Sequence, residues 1–273
     1  IQHRCKLRHR AIKLDGYTAV TSTETESRGS TMALINFLEI YNADRHLIIN
    51  NKYKNLRLLR VDKLPAPSQI AEGGSNWKWF EYEIAFNMQY IPAIYCSNPQ
   101  YYVTAEANGG KMTLRVHAPV SVSMIQTQVH ESITLYIFTQ ESDPNTLGAG
   151  LFIWDPDTKK LVFNSKTPYL RVVGSHIKSE ISSNDSAGLA AVMPETSFPC
   201  GKVAAIMFSM HEFQRSTPQA VVHSSLKLNW VNSNRIKSQW LADSAIVNPG
   251  GDIHIPGGVL RATCILFVNV TNY

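Results

Sequence analysis

The sequence is short of charged residues. Asp, Glu, Lys and Arg make up 17% of its 273 residues, whereas about 25% is usual for a globular domain. Hydrophobic residues still reach 44%, which excludes intrinsic disorder because disorder needs low hydrophobicity and high net charge. The helical repeats of a coiled coil are also missing. The composition therefore indicates a folded chain with much neutral polar surface, in one large domain or two of about 120 residues.

Long apolar runs and clustered cysteines are missing too. No uninterrupted apolar stretch approaches the roughly 18–20 residues of a membrane-spanning helix, so we expect no membrane span. Cys5, Cys96, Cys200 and Cys264 lie too far apart for a CxxC metal knuckle or a dense disulfide framework. We expect free thiols in a protein made in a reducing compartment. The basic start has no apolar signal-peptide core, which predicts no export through the general secretory route.

The sequence also lacks the motifs of common enzyme families. It contains no GxSxG nucleophile elbow, HExxH zinc motif, GxxxxGKS/T phosphate loop or GxGxxG turn. Its nine histidines are scattered without metal-like spacing. Glu81 and Glu83 share one strand face, so they point the same way instead of flanking a substrate as a glycosidase pair does. We therefore expect no enzymatic activity, no metal site and no cofactor.

What the chain does contain is strand-like alternation. From residue 34 onward, most patterned segments place apolar side chains at every second position, which is typical of half-buried β-strands. The predicted inward-facing sets are Phe80, Tyr82, Ile84 and Phe86; Met112, Leu114 and Val116; Ile133, Leu135 and Ile137; and Leu226, Leu228 and Trp230. The best helical pattern, at residues 233–244, stands alone. The sequence therefore predicts an all-β fold.

An internal repeat divides the chain. Residues 38–59 align with residues 151–173 after one inserted residue. Each copy predicts a strand that ends in an aromatic residue, a turn, a returning strand and a third strand after a polar corner. Residues 155–158 fit a type I turn better than a calcium loop, because the glycine and further acids of an EF-hand are missing. The repeat predicts two related β-sandwich-like modules, at residues 32–145 and 146–273.

Residues 1–31 differ from the rest and predict a flexible, basic N-terminal arm. Residues 1–13 contain no acid and carry five positive charges: Arg4, Lys6, Arg8, Arg10 and Lys13. Without them the formal net charge falls from +5 to about 0. Such a cluster can neutralise nucleic-acid phosphates, but no base-stacking aromatics lie between the cations. A solvated tail, or an arm that threads onto a neighbouring subunit, explains the cluster as well.

The strand at residues 77–86 also offers a candidate binding surface. If Phe80 and Tyr82 face the core, period two turns Trp77 and Trp79 outward. Exposed tryptophans are costly to leave in water and suit a subunit interface or a sugar-stacking surface. The alternative is that a second layer of the protein covers them.

The repeated stretches resemble a known family. The first copy reads LEIYNAD at residues 38–44 and NLR at residues 55–57. A YIF strand follows at 136–138, then GLFIWD at 150–155 and FNS at 163–165. This order of elements resembles small proteins encoded in the tail-tip gene clusters of tailed bacteriophages.

The resemblance covers residues 32–175 and implies a non-enzymatic virion protein of the tail tip, baseplate, neck or adsorption apparatus. The expected location is the virion, and the expected partners are copies of the chain and other virion proteins. A jelly-roll capsid protein of a small icosahedral virus is one alternative, supported by the chain length and the basic arm. The other is a carbohydrate-binding adsorption protein that contacts a host-surface glycan through its outward aromatics.

Overall fold

The computed structural model describes residues 8–14, 17–28, 31–42, 47–50, 56–73, 77–87, 89–122, 124–141, 152–154, 158, 160–178, 193–210, 212–216, 220–247, 258–259 and 263–273. The strands in chain order are β1 (Arg8–Leu14), β2 (Tyr17–Arg28), β3 (Thr31–Asn42), β4 (Leu47–Asn50), β5 (Arg57–Lys63), β6 (Gln69–Gly73), β7 (Trp77–Ala85), β8 (Ile91–Cys96), β9 (Tyr102–Asn108), β10 (Lys111–Pro119), β11 (Ile133–Thr139), β12 (Phe152–Trp154), β13 (Leu161–Asn164), β14 (Val172–Lys178), β15 (Thr196–Ser197), β16 (Val203–Ser209), β17 (Glu212–Ser216), β18 (Ala220–Asn232), β19 (Arg235–Val247), β20 (Gly258–Val259) and β21 (Thr263–Asn269). A single helix, α1 (Gln126–Ser132), interrupts them in the described part of the chain. The all-β prediction is confirmed.

The chain forms two compact units. The first unit comprises residues 1–57 and 140–169, and the second comprises residues 58–139 and 170–273. In the first unit β1–β2–β3–β4 form an antiparallel sheet, and β12 pairs with β13 as the predicted hairpin. An isolated antiparallel bridge joins Arg57 to Tyr169 within the same unit.

These units divide the chain differently from the boundaries predicted at residues 31 and 145. The repeat divides the chain into a first and a second half. The observed units instead separate β1–β4 and the β12–β13 hairpin from the rest, and both halves of the chain contribute strands to that second unit. The backbone of residues 8–14 and 17–28 lies in antiparallel strands, where the polar composition predicted a flexible arm. Pairing in a sheet satisfies the backbone of such a segment without an apolar core.

The second unit is a β-sandwich of two antiparallel sheets. The larger sheet has the order β15–β19–β18–β9–β10–β7–β6; β17 also pairs with β18, and β20 pairs with β17. The smaller sheet has the order β14–β21–β16–β8–β11–β5. Their facing side chains form one hydrophobic core, as expected when each sheet presents one apolar face to the other.

The predicted alternation accounts for this core. The side chains of Tyr82, Leu114 and Leu228 are at most 1% exposed and belong to the larger sheet. From the smaller sheet, β16 is buried along residues 203–207, where the sequence is continuously apolar. A hydrogen bond also joins the two sheets, because Trp230 Nε1 donates to the carbonyl of Val203 over 2.9 Å.

The strands of the two halves of the chain pair in the same pattern. In the first half, β9 and β10 form a hairpin in the larger sheet, while β8 and β11 pair in the smaller sheet. In the second half, β18 and β19 form the hairpin, while β16 and β21 pair. The repeated segments then lie at equivalent places, because β5 and β14 form the two ends of the smaller sheet.

Local hydrogen bonds repeat as well. The Phe86 N–H donates to the carbonyl of Gly110 over 3.0 Å, and the Phe198 N–H donates to the carbonyl of Asn234 over 2.9 Å. In each case the acceptor lies in the two-residue turn of the hairpin. The halves are thus related by an approximate two-fold axis.

The halves meet at a seam between equivalent strands. Ile94 of β8 pairs with Ala205 of β16, and Val103 of β9 pairs with Leu228 of β18. Both pairings are antiparallel, as a two-fold axis perpendicular to the sheets requires. The seam sequences agree: IPAIYCS in β8 and after it matches VAAIMFS in β16. Each half therefore completes the sheets of the other.

The weak helical pattern at residues 233–244 does not form a helix. Residues 233–244 form a two-residue turn and most of β19, with Ile236 and Ser238 buried and Gln239 exposed. Strand pairing with β18 overrides the weak helical spacing of that segment. The observed helix, α1, buries Val129 alone, so it has too few apolar positions for a periodic signal. Within the described part of the chain, no helix has the length and hydropathy to cross a membrane.

Candidate functional site

The best candidate site is the face of the larger sheet that points away from the sandwich core. Strand β7 alternates there as predicted: Phe80, Tyr82 and Ile84 are buried in the core, whereas Trp77 and Trp79 lie on the opposite face and are half-buried. Tyr102 of β9, also half-buried, lies on the same face. We call Trp77, Trp79 and Tyr102 the aromatic row.

Ring contacts hold the aromatic row in place. The rings of Trp77 and Tyr102 meet edge to face, with centroids 5.3 Å apart and an interplanar angle of 86°. Trp79 lies opposite His117 in the β7–β10 register, and their ring centroids are 5.7 Å apart. His117 in turn lies opposite Tyr102 in the β10–β9 register. Such contacts fix ring orientation as well as burying apolar area.

Paired charges continue the same face. Glu81 follows Trp79 by two positions on β7, and its carboxylate accepts a hydrogen bond from Arg115 Nε over 2.7 Å. One row further on, Lys111 Nζ lies 2.8 Å from Glu83 Oε2. The Glu81 and Arg115 side chains are 19% and 38% exposed. The face therefore passes from aromatic rings to neutralised ion pairs that keep contact with solvent.

His117, on the same face of the sheet, is the least expected residue of this site. It is 1% exposed, and neither ring nitrogen has a hydrogen-bond partner among the described residues. Burial lowers the pKa of its imidazole well below the usual value, and the cations Lys227 and Arg115 lower it further. The ring is therefore neutral at physiological pH and contributes to the face by packing against Trp79.

A second candidate site is a cleft at one end of the sandwich. This apolar cleft has a volume of about 380 Å³, and its lining includes Phe86, Phe208 and the Gly109–Gly110 turn. Asn87 also lines it, but its Oδ1 already accepts hydrogen bonds from two backbone N–H groups. Ligand pockets need a few free polar groups to orient a ligand, so this cleft is the weaker candidate.

The predicted contacts of the N-terminal arm stay a prediction. Arg4 and Lys6 lie outside the described residues. Arg8, Arg10 and Lys13 lie on β1, for which the structure gives the backbone pairing with β2. The aromatic row and these cations belong to different units of the chain.

Metal and thiol chemistry receive no support from the described geometry. No group of three or more His, Cys, Asp or Glu side chains within the described ranges could hold a metal ion. Asp155 and Asp157 lie outside those ranges. The described cysteines Cys96, Cys200 and Cys264 are free thiols, and burial raises the pKa of Cys96 to about 12. A thiol with so high a pKa is a poor nucleophile.

No family model, curated protein or solved structure matches this chain. The function must therefore be argued from the residues themselves.

Sequence reasoning located part of the candidate site. It placed Trp77 and Trp79 outward, but it missed Tyr102, Arg115 and His117. The alternation of β10 does place Arg115 and His117 on the face of the strand that Val116 does not share, so their outward direction could be predicted from the sequence. Their partners depend on the register between β7, β10 and β9, which tertiary packing sets.

Proposed function

We propose that this protein is a non-enzymatic structural component of a virion, in the tail tip, baseplate, neck or adsorption apparatus of a tailed bacteriophage. The observation that carries the proposal is the repeated motif of residues 38–59 and 151–173, which resembles the motif of tail-tip proteins. The two copies coincide with β3–β4–β5 and β12–β13–β14. β5 and β14 are the two end strands of the smaller sheet. The motif therefore recurs in the fold as well as in the sequence.

The end strands of the smaller sheet, as the described residues define it, support assembly with other copies and other virion proteins. Val61 on β5 is 46% exposed, and Ile177 on β14 is 64% exposed. An edge strand offers backbone hydrogen-bonding groups to another chain, and exposed aliphatic side chains add apolar area. The low charge of the chain outside residues 1–13 limits long-range repulsion between copies.

The chain wrapping favours a tail protein over a jelly-roll capsid protein. A jelly roll folds an eight-stranded chain so that its first strand pairs with its last. Here β8 pairs with β11 and β16 pairs with β21, so the same pairing recurs within each half on either side of the seam. The internal repeat, which a single jelly roll does not explain, fits this wrapping.

Immunogold labelling of purified particles of the encoding virus tests the proposal. We expect gold at one end of the tail or at the neck. Uniform labelling of the head shell would support the capsid alternative, and absence of the chain from purified particles would refute a virion role.

Charge substitutions on an edge test the assembly mechanism. Ile177→Lys places a charge on the end strand β14 and should lower the fraction of oligomers in mass photometry of the purified chain. Val120→Lys is the matched control, because Val120 is 53% exposed in the turn that follows β10. Equal oligomer fractions for the two variants would contradict assembly through β14.

A further inference from the structure

Within the described residues, the aromatic row has no counterpart in the other half of the sandwich. Strand β7 holds nine residues, whereas its equivalent β15 comprises Thr196–Ser197 in the described chain. Both strands pair with the outer strand of a hairpin, β10 or β19. The shared architecture thus does not require the long strand or its outward tryptophans. A feature present in one of two equivalent halves is best explained by a task specific to that half.

Packing does not account for the two tryptophans either. The core side of β7 is already filled by Phe80, Tyr82 and Ile84. Trp77 and Trp79 point the other way and are only half-buried. Among the described residues, Trp77 has a ring contact with Tyr102 on the same face, and Trp79 has one with His117. The two side chains are therefore held in place on a face that is not fully buried.

We infer that the aromatic row and the adjacent Arg115–Glu81 pair form a binding surface for a neutral oligosaccharide. A sugar ring has an apolar face, which stacks on an aromatic ring, and a rim of hydroxyl groups, which needs donors and acceptors. Trp77 and Trp79 supply the apolar surface, while the ion pair supplies both donors and acceptors two residues along the strand.

The charge pattern selects a neutral glycan over other ligands. Arg115 is paired with Glu81, and Lys111 with Glu83, so these two pairs add no net charge that would attract an anionic polysaccharide. A purely apolar partner would have to desolvate these ion pairs, which is costly without compensating hydrogen bonds. Hydroxyl groups can bond to the partly exposed ions without displacing them from each other.

The surface is tested with a panel of neutral hexasaccharides of glucose, galactose, mannose and N-acetylglucosamine, with hyaluronate as the anionic comparison. The full chain should bind at least one neutral member, and intrinsic tryptophan fluorescence should shift on titration. Trp79→Ala should weaken that binding about tenfold or more, and Trp79→Tyr should restore part of it because an aromatic face returns. Trp154→Ala is the matched control, because Trp154 is 49% exposed on β12 outside this surface, and it should leave the affinity unchanged.

Three outcomes would overturn the inference. The first is failure to bind any neutral member of the panel, and the second is stronger binding to hyaluronate. The third is a change in oligomeric mass caused by Trp77→Ala and Trp79→Ala without any change in sugar affinity, which would make the row a subunit interface. The inference does not rest on the virion role, because particle labelling and sugar binding are measured separately.

Discussion

Replacement of His117 by leucine should stabilise the sandwich, and the gain should grow as the pH falls. The ring is 1% exposed, and its two nitrogens have no hydrogen-bond partner among the described residues. A buried polar group without a partner costs about 1–3 kcal/mol. His117→Leu removes that cost at nearly constant volume, so we expect the free energy of unfolding to rise by about 1–3 kcal/mol at pH 8.

The pH dependence follows from the lowered pKa of His117. The folded protein binds its proton less readily than the unfolded chain, whose histidine titrates near pH 6.5. Stability is therefore complete above that pH and is lost as the pH falls towards the folded pKa. In this window the loss approaches about 1.4 kcal/mol per pH unit for one proton. His117→Leu should abolish this contribution.

Hydrogen exchange by mass spectrometry provides the measurement, because it reports the opening free energy of β10 peptides separately from the other unit of the chain. The comparison is made at pH 8, 6.5 and 5.5, after correction for intrinsic exchange rates. His130→Gln is the control, since it removes an exposed histidine from α1. Parallel loss of stability in the parent chain and in His117→Leu between pH 6.5 and 5.5 would refute a buried neutral imidazole.

Substitutions at two further places probe the sandwich. Trp230→Phe removes the hydrogen bond to the Val203 carbonyl and leaves a void at a site that is 1% exposed. The free energy of unfolding, measured with a denaturant, should therefore fall by about 2–4 kcal/mol. A fall of less than about 0.5 kcal/mol would contradict the hydrogen bond between the sheets. Gly110 has φ +85° and Gly109 has φ +56°. Gly110→Ala should therefore lower the free energy of unfolding by about 1–2 kcal/mol. Gly109→Asn should lower it by less than about 0.5 kcal/mol, because Asn tolerates the left-handed region. Equal costs in thermal unfolding would contradict this turn geometry.

Much of the sandwich could be predicted because each strand has one face on the core. Alternation then reports burial directly, as at Tyr82 and Leu114. Order within the sheets was not readable, because the pairing of Ile94 with Ala205 joins residues far apart in the chain. The two compact units could not be predicted either, because each of them combines two segments that are far apart in the chain.

The candidate site was predictable to the extent that it depends on a single strand. Trp77 and Trp79 follow from the period of β7 alone. The role of Arg115 requires knowing that β10 lies beside β7 with Arg115 opposite Glu81, and no local pattern carries that information. The burial of His117 was unreadable as well, because a histidine on the outer face of a strand is ordinarily exposed.

The seam between the halves has a consequence for biosynthesis. Until β16 and β18 leave the ribosome, the first half of the chain exposes the edges of β8 and β9, and non-local pairing of this kind is slow. Because the seam sequences of β8 and β16 are alike, the exposed β8 of one nascent chain is a fitting partner for the β8 of another. Domain-swapped dimers are therefore the expected misassembly product of this protein, and slower translation of the second half should increase their yield.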